Sequence, residues 1–304
     1  MLSNWRQTAS DGSKAYSPAM IQPALEERCA QLRHVLQGTG RVALEYVDAP
    51  IWEPTAGSEG EAELNNVEVG PNGPWGDIPV RTAYAMANAG ITAVLDQLTA
   101  LDLLTQPVAP ALAPTVVARS VVEIGCGVWW LMEPGIGARR RVARCGADEM
   151  NSALRAVQVA NKLGGGPEVQ EYLDGEARVR ARLDGLGLAI IENRFEPSVG
   201  GEKAPDATTL TTDCLSQLLD HGSVVYNVYS AITHGTLYGL MQFFADSSSD
   251  PVRLEWTRPL QLIETTVQVA LVACLLSVDR IIEVMGWDST AWEDWKPEVG
   301  EAYP

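Results

Sequence analysis

Between Val80 and Leu104, apolar side chains recur at the three- and four-residue steps of an α-helix: Ala83, Met86, Ile91, Val94, Leu95, Leu98 and Leu101. The same period returns along the chain, and Pro or Gly punctuates each run. A helix over Thr115 to Met132 follows the turn Pro107 to Pro114, and another over Gly137 to Leu163 follows Pro134-Gly135. Gly164-Gly165-Gly166 ends that helix. Pro167 then stands at the first position of the next, where its missing N–H costs nothing, and the pattern runs to Leu183. Asp206 has the chemistry of an N-cap for a helix reaching Leu219. Ser223 to Phe244 reads as one further helix and Pro259 to Met285 as the last. At the N-terminal end, Pro18 opens a pattern through Leu25, Leu32 and Leu36 that Gly38-Thr39-Gly40 is expected to stop.

Helices joined by short turns pack antiparallel. The expected fold is therefore all-α, an antiparallel helical bundle with an irregular Pro/Gly-rich insert near the N-terminus. The insert covers Arg41 to Pro79, with five prolines, the acidic run Glu59 to Glu63 and a short strand at Val42 to Val47. Trp52 and Trp75 imply that it docks on the body, because an exposed indole forfeits its large burial energy. Residues 1–79 then form an N-terminal helix and insert packing on the body, and 80–304 the bundle with a C-terminal arm. Leu188 to Phe195 is the best remaining strand. The tail from Trp287 to Pro304 reads as an irregular arm packing back through Trp292 and Trp295.

Charge narrows the function classes. The 304 residues carry 39 acidic and 22 basic side chains, a formal net charge of −17 that repels polyanions at long range and disfavours nucleic acid. The most apolar stretch, Val267 to Val278, is shorter than the ~20 residues of a membrane span, so it reads as a core helix and no membrane partner is expected. The five cysteines are widely spaced and odd in number, and the N-terminus opens no signal-peptide run, which points to reduced thiols in a cytoplasmic protein. A second copy of the chain is an allowed partner.

Candidate chemistry lies in a few polar exceptions on apolar helices. Asn227, Ser230, His234 and Tyr238 follow one another at spacings of three, four and four, which stacks them on one face of an unbroken helix. Arg119 and Glu123 are four apart, Arg first, the weaker order for a surface pair, which points to a buried role; Trp130 continues that face. Arg139, Arg140, Arg141 and Arg144 crowd the start of a helix, where cations oppose the macrodipole and call for an anion or carboxylates from elsewhere; a solvated face paired with Asp148 and Glu149 is the plainer and favoured reading. The stretch Val121 to Gly127 resembles the glycine-rich first motif of S-adenosylmethionine-dependent methyltransferases. Trp129 stands at its third glycine position, however, and the strand–helix alternation of that fold is missing, so Gly125 and Gly127 are expected to serve close helix packing. A metal-dependent terpene cyclase would match in size. Asp96 and Asp102 are six apart and share no face, while Asp279 and Glu283 alone are a weak metal site, so no metal ligands are assigned.

Ala118-Arg119-Ser120-Val121-Val122-Glu123, Trp129-Trp130-Leu131-Met132-Glu133-Pro134, Arg141-Val142-Ala143-Arg144 and Tyr229-Ser230-Ala231-Ile232-Thr233-His234-Gly235 together resemble a group of actinobacterial helical proteins. That group is distantly similar to HEPN-type helical bundles, many of which are ribonucleases of toxin or defence systems. The resemblance covers Ala118 to Phe244. HEPN ribonucleases set an arginine and a histidine with four to six residues between them. This chain has His234 but no arginine from Tyr226 to Thr233, and Asn227 occupies that region, so Arg119 or Arg141 would have to substitute from another helix.

The leading expectation is a small-molecule-binding bundle, a specialised biosynthetic enzyme if catalytic, whose two polar stripes line one cavity. His234 would do acid–base work, Glu123 would be its charge partner and Arg119 would hold an anion. Trp130, Asn227, Ser230, Tyr238 and Arg141 would contact substrate. The residues indicate no cofactor class. An RNA-acting HEPN-like protein is the alternative, and a non-catalytic interaction protein a third. If the Arg119–Glu123 pair is buried, Arg119→Ala would cost about 3–5 kcal/mol of stability.

Overall fold

Most of the chain is helical in a computed structural model that describes residues 18–47, 52–107, 110–162, 166–191, 197–220, 222–247, 250–256 and 259–303. The long helices are α1 (Pro18–Val47), α3 (Ile78–Leu104), α4 (Ala113–Leu131), α5 (Gly137–Lys162), α6 (Pro167–Gly185) and α10 (Leu260–Met285). Shorter ones are α2 (Glu59–Leu64), α7 (Ala207–Leu215), α8 (Gly222–Thr233), α9 (Leu237–Leu240) and α11 (Thr290–Glu301). Strands occur only as small antiparallel sets among the described residues: β1 (Val69–Gly70) with β2 (Gly73–Pro74), then β3 (Ile190–Ile191), β4 (Ser198–Val199) and β5 (Glu202–Lys203) in that order, and β6 (Phe244–Ser247) with β7 (Asp250–Trp256). Ile190 pairs with Val199, and Ser198 with Lys203. The all-α bundle read from the periodicity is the fold.

α10 is the axis of the core. Its stretch from Val267 to Val278 is apolar apart from Gln268 and Ser277, and a helix with so little polar face has to be enclosed. Val267, Ala270, Leu271, Ala273 and Cys274 are fully buried. α4 packs along it, α3 packs on the other side of α4, and α1 crosses both α3 and α10. Gly125 permits the α4–α10 approach, since a Cβ there would lie 3.2 Å from the Ala273 carbonyl oxygen. The Ser277 hydroxyl sits between the helices, 2.7 Å from the Gly125 carbonyl and 2.6 Å from that of Ala273. The five cysteines are free and buried, and no described helix is long and apolar enough to cross a membrane.

Several local expectations fail for tertiary reasons. α1 does not stop at Gly38-Thr39-Gly40 but continues to Val47, so the strand expected at Val42 to Val47 is helix. The Trp295 indole packs on Gly38, where a Cβ would stand 2.1 Å from it, and its Nε1–H donates to the Thr39 hydroxyl at 3.0 Å. The tail that carries Trp292 and Trp295 does pack back, but as helix α11 rather than an irregular arm. The acidic run of the insert is helix α2, capped by the Ser58 hydroxyl, which accepts from the Glu61 N–H at 3.1 Å. The helix read over Ser223 to Phe244 breaks after Thr233. Gly235 takes φ +62°, its N–H donates to the Ile232 carbonyl, and the Thr236 N–H donates to that of Ala231, the pattern of a Schellman stop. The strand expected over Leu188 to Phe195 shortens to β3, and its residues 192–195 lie outside the described residues. Asp206 caps α7 as its chemistry suggests, accepting from the N–H groups of Thr208 and Thr209 at 3.0 Å each.

Docking of the insert follows its tryptophans. Trp75 is buried and donates from Nε1 to the Leu186 carbonyl at 3.0 Å. Trp52 meets Trp287 edge to face.

The two glycines of α1 separate packing from propensity. Gly38→Ala is expected to lower stability by about 1–3 kcal/mol, because the indole against it must move. Gly40 has open space beyond its Cα, so Gly40→Ala is expected to raise stability by about 0.5–1 kcal/mol. Urea denaturation of the two variants measures both; a stable Gly38→Ala would show that α11 does not seat against α1.

Candidate functional site

α4 carries most of the candidate chemistry, and its C-terminal half forms one wall of an open cleft of about 280 Å³. Glu123, Gly127 and Trp130 lie at steps of four and three, so they share a face of the helix; Ile124, Val128 and Leu131 complete that wall. α3 contributes Met86 and Gly90, and α5 contributes Arg144, Cys145 and Asp148. Ala204, Pro205 and Leu210 close the remaining side. Gly127 has no atom within 4 Å of where its Cβ would be, so the missing side chain leaves the floor of the cleft open. Its role is therefore not the helix packing expected from the glycine-rich motif. Gly125, two residues away, has that role.

The arginines around the cleft hold the fold. Arg141 is fully buried and bidentate to Glu63, Nε to Oε2 at 2.6 Å and Nη2 to Oε1 at 3.0 Å; Nη2 also reaches Glu59 Oε1 at 3.2 Å and Nη1 the Leu131 carbonyl at 2.7 Å. The Tyr84 hydroxyl donates to Glu63 Oε2 at 2.7 Å, and burial followed by the Glu63 charge keeps that phenol protonated. Arg141, expected at a substrate, is thus enclosed and saturated by protein carboxylates. Arg144 donates to Glu202 at 3.0 Å and to the Trp130 carbonyl at 2.5 Å, pairs with Glu133 at 2.6 Å, and lies 4.9 Å from the Trp130 ring centre. Arg140 also binds Glu202, at 2.7 Å. Burial works to raise the Glu202 pKa, but the hydrogen bonds from Arg140 and Arg144 outweigh it and hold the carboxyl below its usual range. Arg139 pairs with Glu68 at 2.9 Å. Carboxylates from other elements, rather than Asp148 and Glu149 alongside, relieve the charge conflict at this helix start.

The expected polar stripes meet in part. Arg119 Nε donates to Glu123 Oε1 at 2.7 Å, and Arg119 Nη1 lies 3.4 Å from His234 Nε2. Tyr226, which the spacing did not single out, donates from its hydroxyl to the same Glu123 Oε1 at 2.8 Å and presents its ring to the Arg119 guanidinium at 5.6 Å. Burial, and then Glu123, raises the Tyr226 pKa, so the phenol remains a donor. Glu123 therefore belongs both to this cluster and to the cleft. His234 is exposed at the end of α8, and the break at Gly235 leaves Tyr238 60% exposed. Asn227 is exposed and Ser230 half-buried. None of Asn227, Ser230, His234 and Tyr238 lines the cleft. The stripe stacked at helical spacing is divided by a backbone turn, and its lower part faces outward because Tyr226 and Tyr229 take the core side of α8.

Other polar groups on the cleft differ in their partners. The Cys145 thiol donates to Met86 Sδ at 3.1 Å, and burial pushes its pKa up to about 12, which makes it a poor nucleophile. Asp148 accepts no hydrogen bond and makes no ion pair among the described residues. The sequence offered it only as a partner, with Glu149, for the arginines of a solvated helix face. Asp279 and Glu283 form no metal set: Asp279 accepts from Trp292 Nε1 at 2.7 Å and pairs with Lys296 at 2.8 Å, and no described group of residues is arranged to hold a metal ion. Compared with family models, curated proteins and solved structures, the chain matches none of them.

The burial of the two arginine–glutamate pairs orders their expected stability effects. The Arg119 and Glu123 side chains are 16% and 35% exposed, whereas Arg141 and Glu63 are 0% and 3% exposed. The cost of about 3–5 kcal/mol for stranding a buried charge therefore belongs to Arg141→Ala. Arg119→Ala should cost about 1 kcal/mol or less, as partly solvated pairs do. His234→Ala at an exposed position should change stability by no more than about 0.5 kcal/mol. Thermal and urea melts of the three variants check the order.

Proposed function

We propose that the protein binds a small organic molecule in the cleft between α3, α4, α5 and the 204–210 segment, with Glu123 meeting the polar part of the ligand. One observation carries this reading: an open cavity of about 280 Å³ with mostly apolar walls, on which a few polar groups converge. Glu123 suits the role. Arg119 and Tyr226 both engage its Oε1, while Oε2 accepts no hydrogen bond from a described side chain. A carboxylate fixed by two donors, with its second oxygen unengaged, can serve as counter-ion or general base. His234 and Arg119 extend this polar end towards solvent.

Gly127→Phe places a ring in the open floor without disturbing a packed contact. In a thermal-shift screen of chemically mixed small molecules, the wild-type protein is expected to give hits that Gly127→Phe loses, with its own melting temperature unchanged. Hits that survive Gly127→Phe would place the binding elsewhere and end this reading.

A second reading, an RNA-acting protein of HEPN type, is supported by the approach of Arg119 to His234, which supplies from α4 the arginine that α8 lacks. Incubation with single-stranded RNA tests it: cleavage by the wild type that disappears in His234→Ala is the expected result, and intact RNA removes the reading.

A further inference from the structure

The cleft has a one-sided inventory of uncompensated charge. Its cationic and thiol donors are already engaged, while the Trp130 indole N–H, also on its wall, donates to no described residue. Arg144 directs Nε to Glu202, Nη1 to the Trp130 carbonyl and Nη2 to Glu133. The Cys145 thiol points to Met86 Sδ. Its acceptors are not. Glu123 Oε2 accepts nothing from a described residue, and neither oxygen of Asp148 does. The charges are unequal in the same sense. Arg144 faces two carboxylates of its own, Glu133 and Glu202, and Glu123 has Arg119, but Asp148 has no ion-pair partner within reach among the described residues. Although Asp148 is open to the cleft mouth, desolvation by the surrounding walls raises its carboxyl pKa against the weaker pull of Arg155. Met86, Ile124, Val128, Leu131 and Leu210 supply the apolar remainder. A ligand that complements these walls has a donor-rich positive end and an apolar body.

We propose, resting on the cleft reading above, that the ligand is an organic ammonium whose cationic nitrogen pairs with Asp148 and reaches towards Glu123 Oε2, while its hydrocarbon part lies against the α3 and α4 walls. The overall charge of −17 assists capture of such a cation and not of an anion.

The test compares ligands that differ only in the charged end. Aryl- and alkylamines of graded length, 4-phenylbutylamine among them, are titrated calorimetrically beside the alcohol and the carboxylate of the same skeleton. The wild type is expected to bind the best amine about tenfold or more tightly than its alcohol, a preference worth one decade of Kd, and added salt should weaken the amine alone. Asp148→Asn should lose that preference and remain folded. Its melting temperature at neutral pH should equal or exceed that of the wild type. A raised carboxyl pKa favours the fold fully below the unfolded value of 3.8, and that contribution is lost as pH rises through the folded pKa, so the advantage of the Asp148→Asn variant over the ionised wild type should fade in acid. If the alcohol or the carboxylate binds as tightly as the amine, and Gly127→Phe abolishes it, the cleft reading stands and the ammonium assignment falls. An amine preference that persists in Asp148→Asn also overturns the assignment. If no member of the three series binds in a manner sensitive to Gly127→Phe, the ammonium assignment falls, and the mixed-library screen decides separately whether the cleft binds anything else.

Discussion

Three guanidinium groups close the C-terminal end of α4, and the surrounding segments are placed by what else those groups hold. The last carbonyls of a helix have no partner within it, and the macrodipole makes them negative. Arg280 donates to the Trp129 carbonyl at 2.6 Å, Arg144 to that of Trp130 at 2.5 Å and Arg141 to that of Leu131 at 2.7 Å. α5 supplies two of these groups and α10 the third, and each has a second engagement. Arg141 holds α2 through Glu63 and Glu59, Arg144 holds the β5 strand through Glu202, and Arg280 stacks on Trp129 at 3.6 Å. A helix end that would otherwise need water becomes the junction of α2, α5, α10 and the three-stranded sheet.

That junction also explains why a basic cluster in an acidic protein offers so little to an external anion. Burial lowers the Arg280 pKa, and a guanidinium in such surroundings remains charged only where acceptors and an aromatic face compensate. Arg141 and Arg144 have the same support in stronger form. The charge that stays uncommitted near the cleft is negative: the second oxygen of Glu123 and the carboxylate of Asp148. The arginines fix the walls, and the carboxylates set the charge that the open cleft presents.

Close approach sets the rest of the geometry. Gly125 lets α4 lie on α10, Gly38 receives the Trp295 indole, and Gly239 brings α9 back against Ala231, where a Cβ would stand 2.4 Å from its carbonyl carbon. Gly127 differs because the space beyond it is empty. Two glycines two residues apart on one helix thus serve opposite ends, one closing the core and the other opening the cleft.

Local periodicity and end chemistry determined α3, α4, α5, α6, α7 and α10 by themselves. The apolar rows of α3, α4 and α10, the Pro167 start of α6 and the Asp206 cap of α7 act over three or four residues, and such signals are complete within the segment that carries them. The four-residue spacing of Arg119 and Glu123 likewise sufficed to pair them. Partners distant in sequence decided the remainder. Gly38-Thr39-Gly40 has the composition of a stop, yet it continues as helix because Trp295, 256 positions beyond Thr39, covers it. Gly235 has no more distinctive context, yet it ends α8, because α9 folds back on Ala231 there. The orientation of α8 turned on Tyr226 and Tyr229, whose rings bury more apolar area than the valines beside them and so claim the core side. Whether a charged side chain is engaged or available depends on what other helices bring to it. Arg141 and Asp148 stand seven residues apart on α5; packing enclosed the first among carboxylates and left the second facing a cleft, a difference that no pattern along the chain contains.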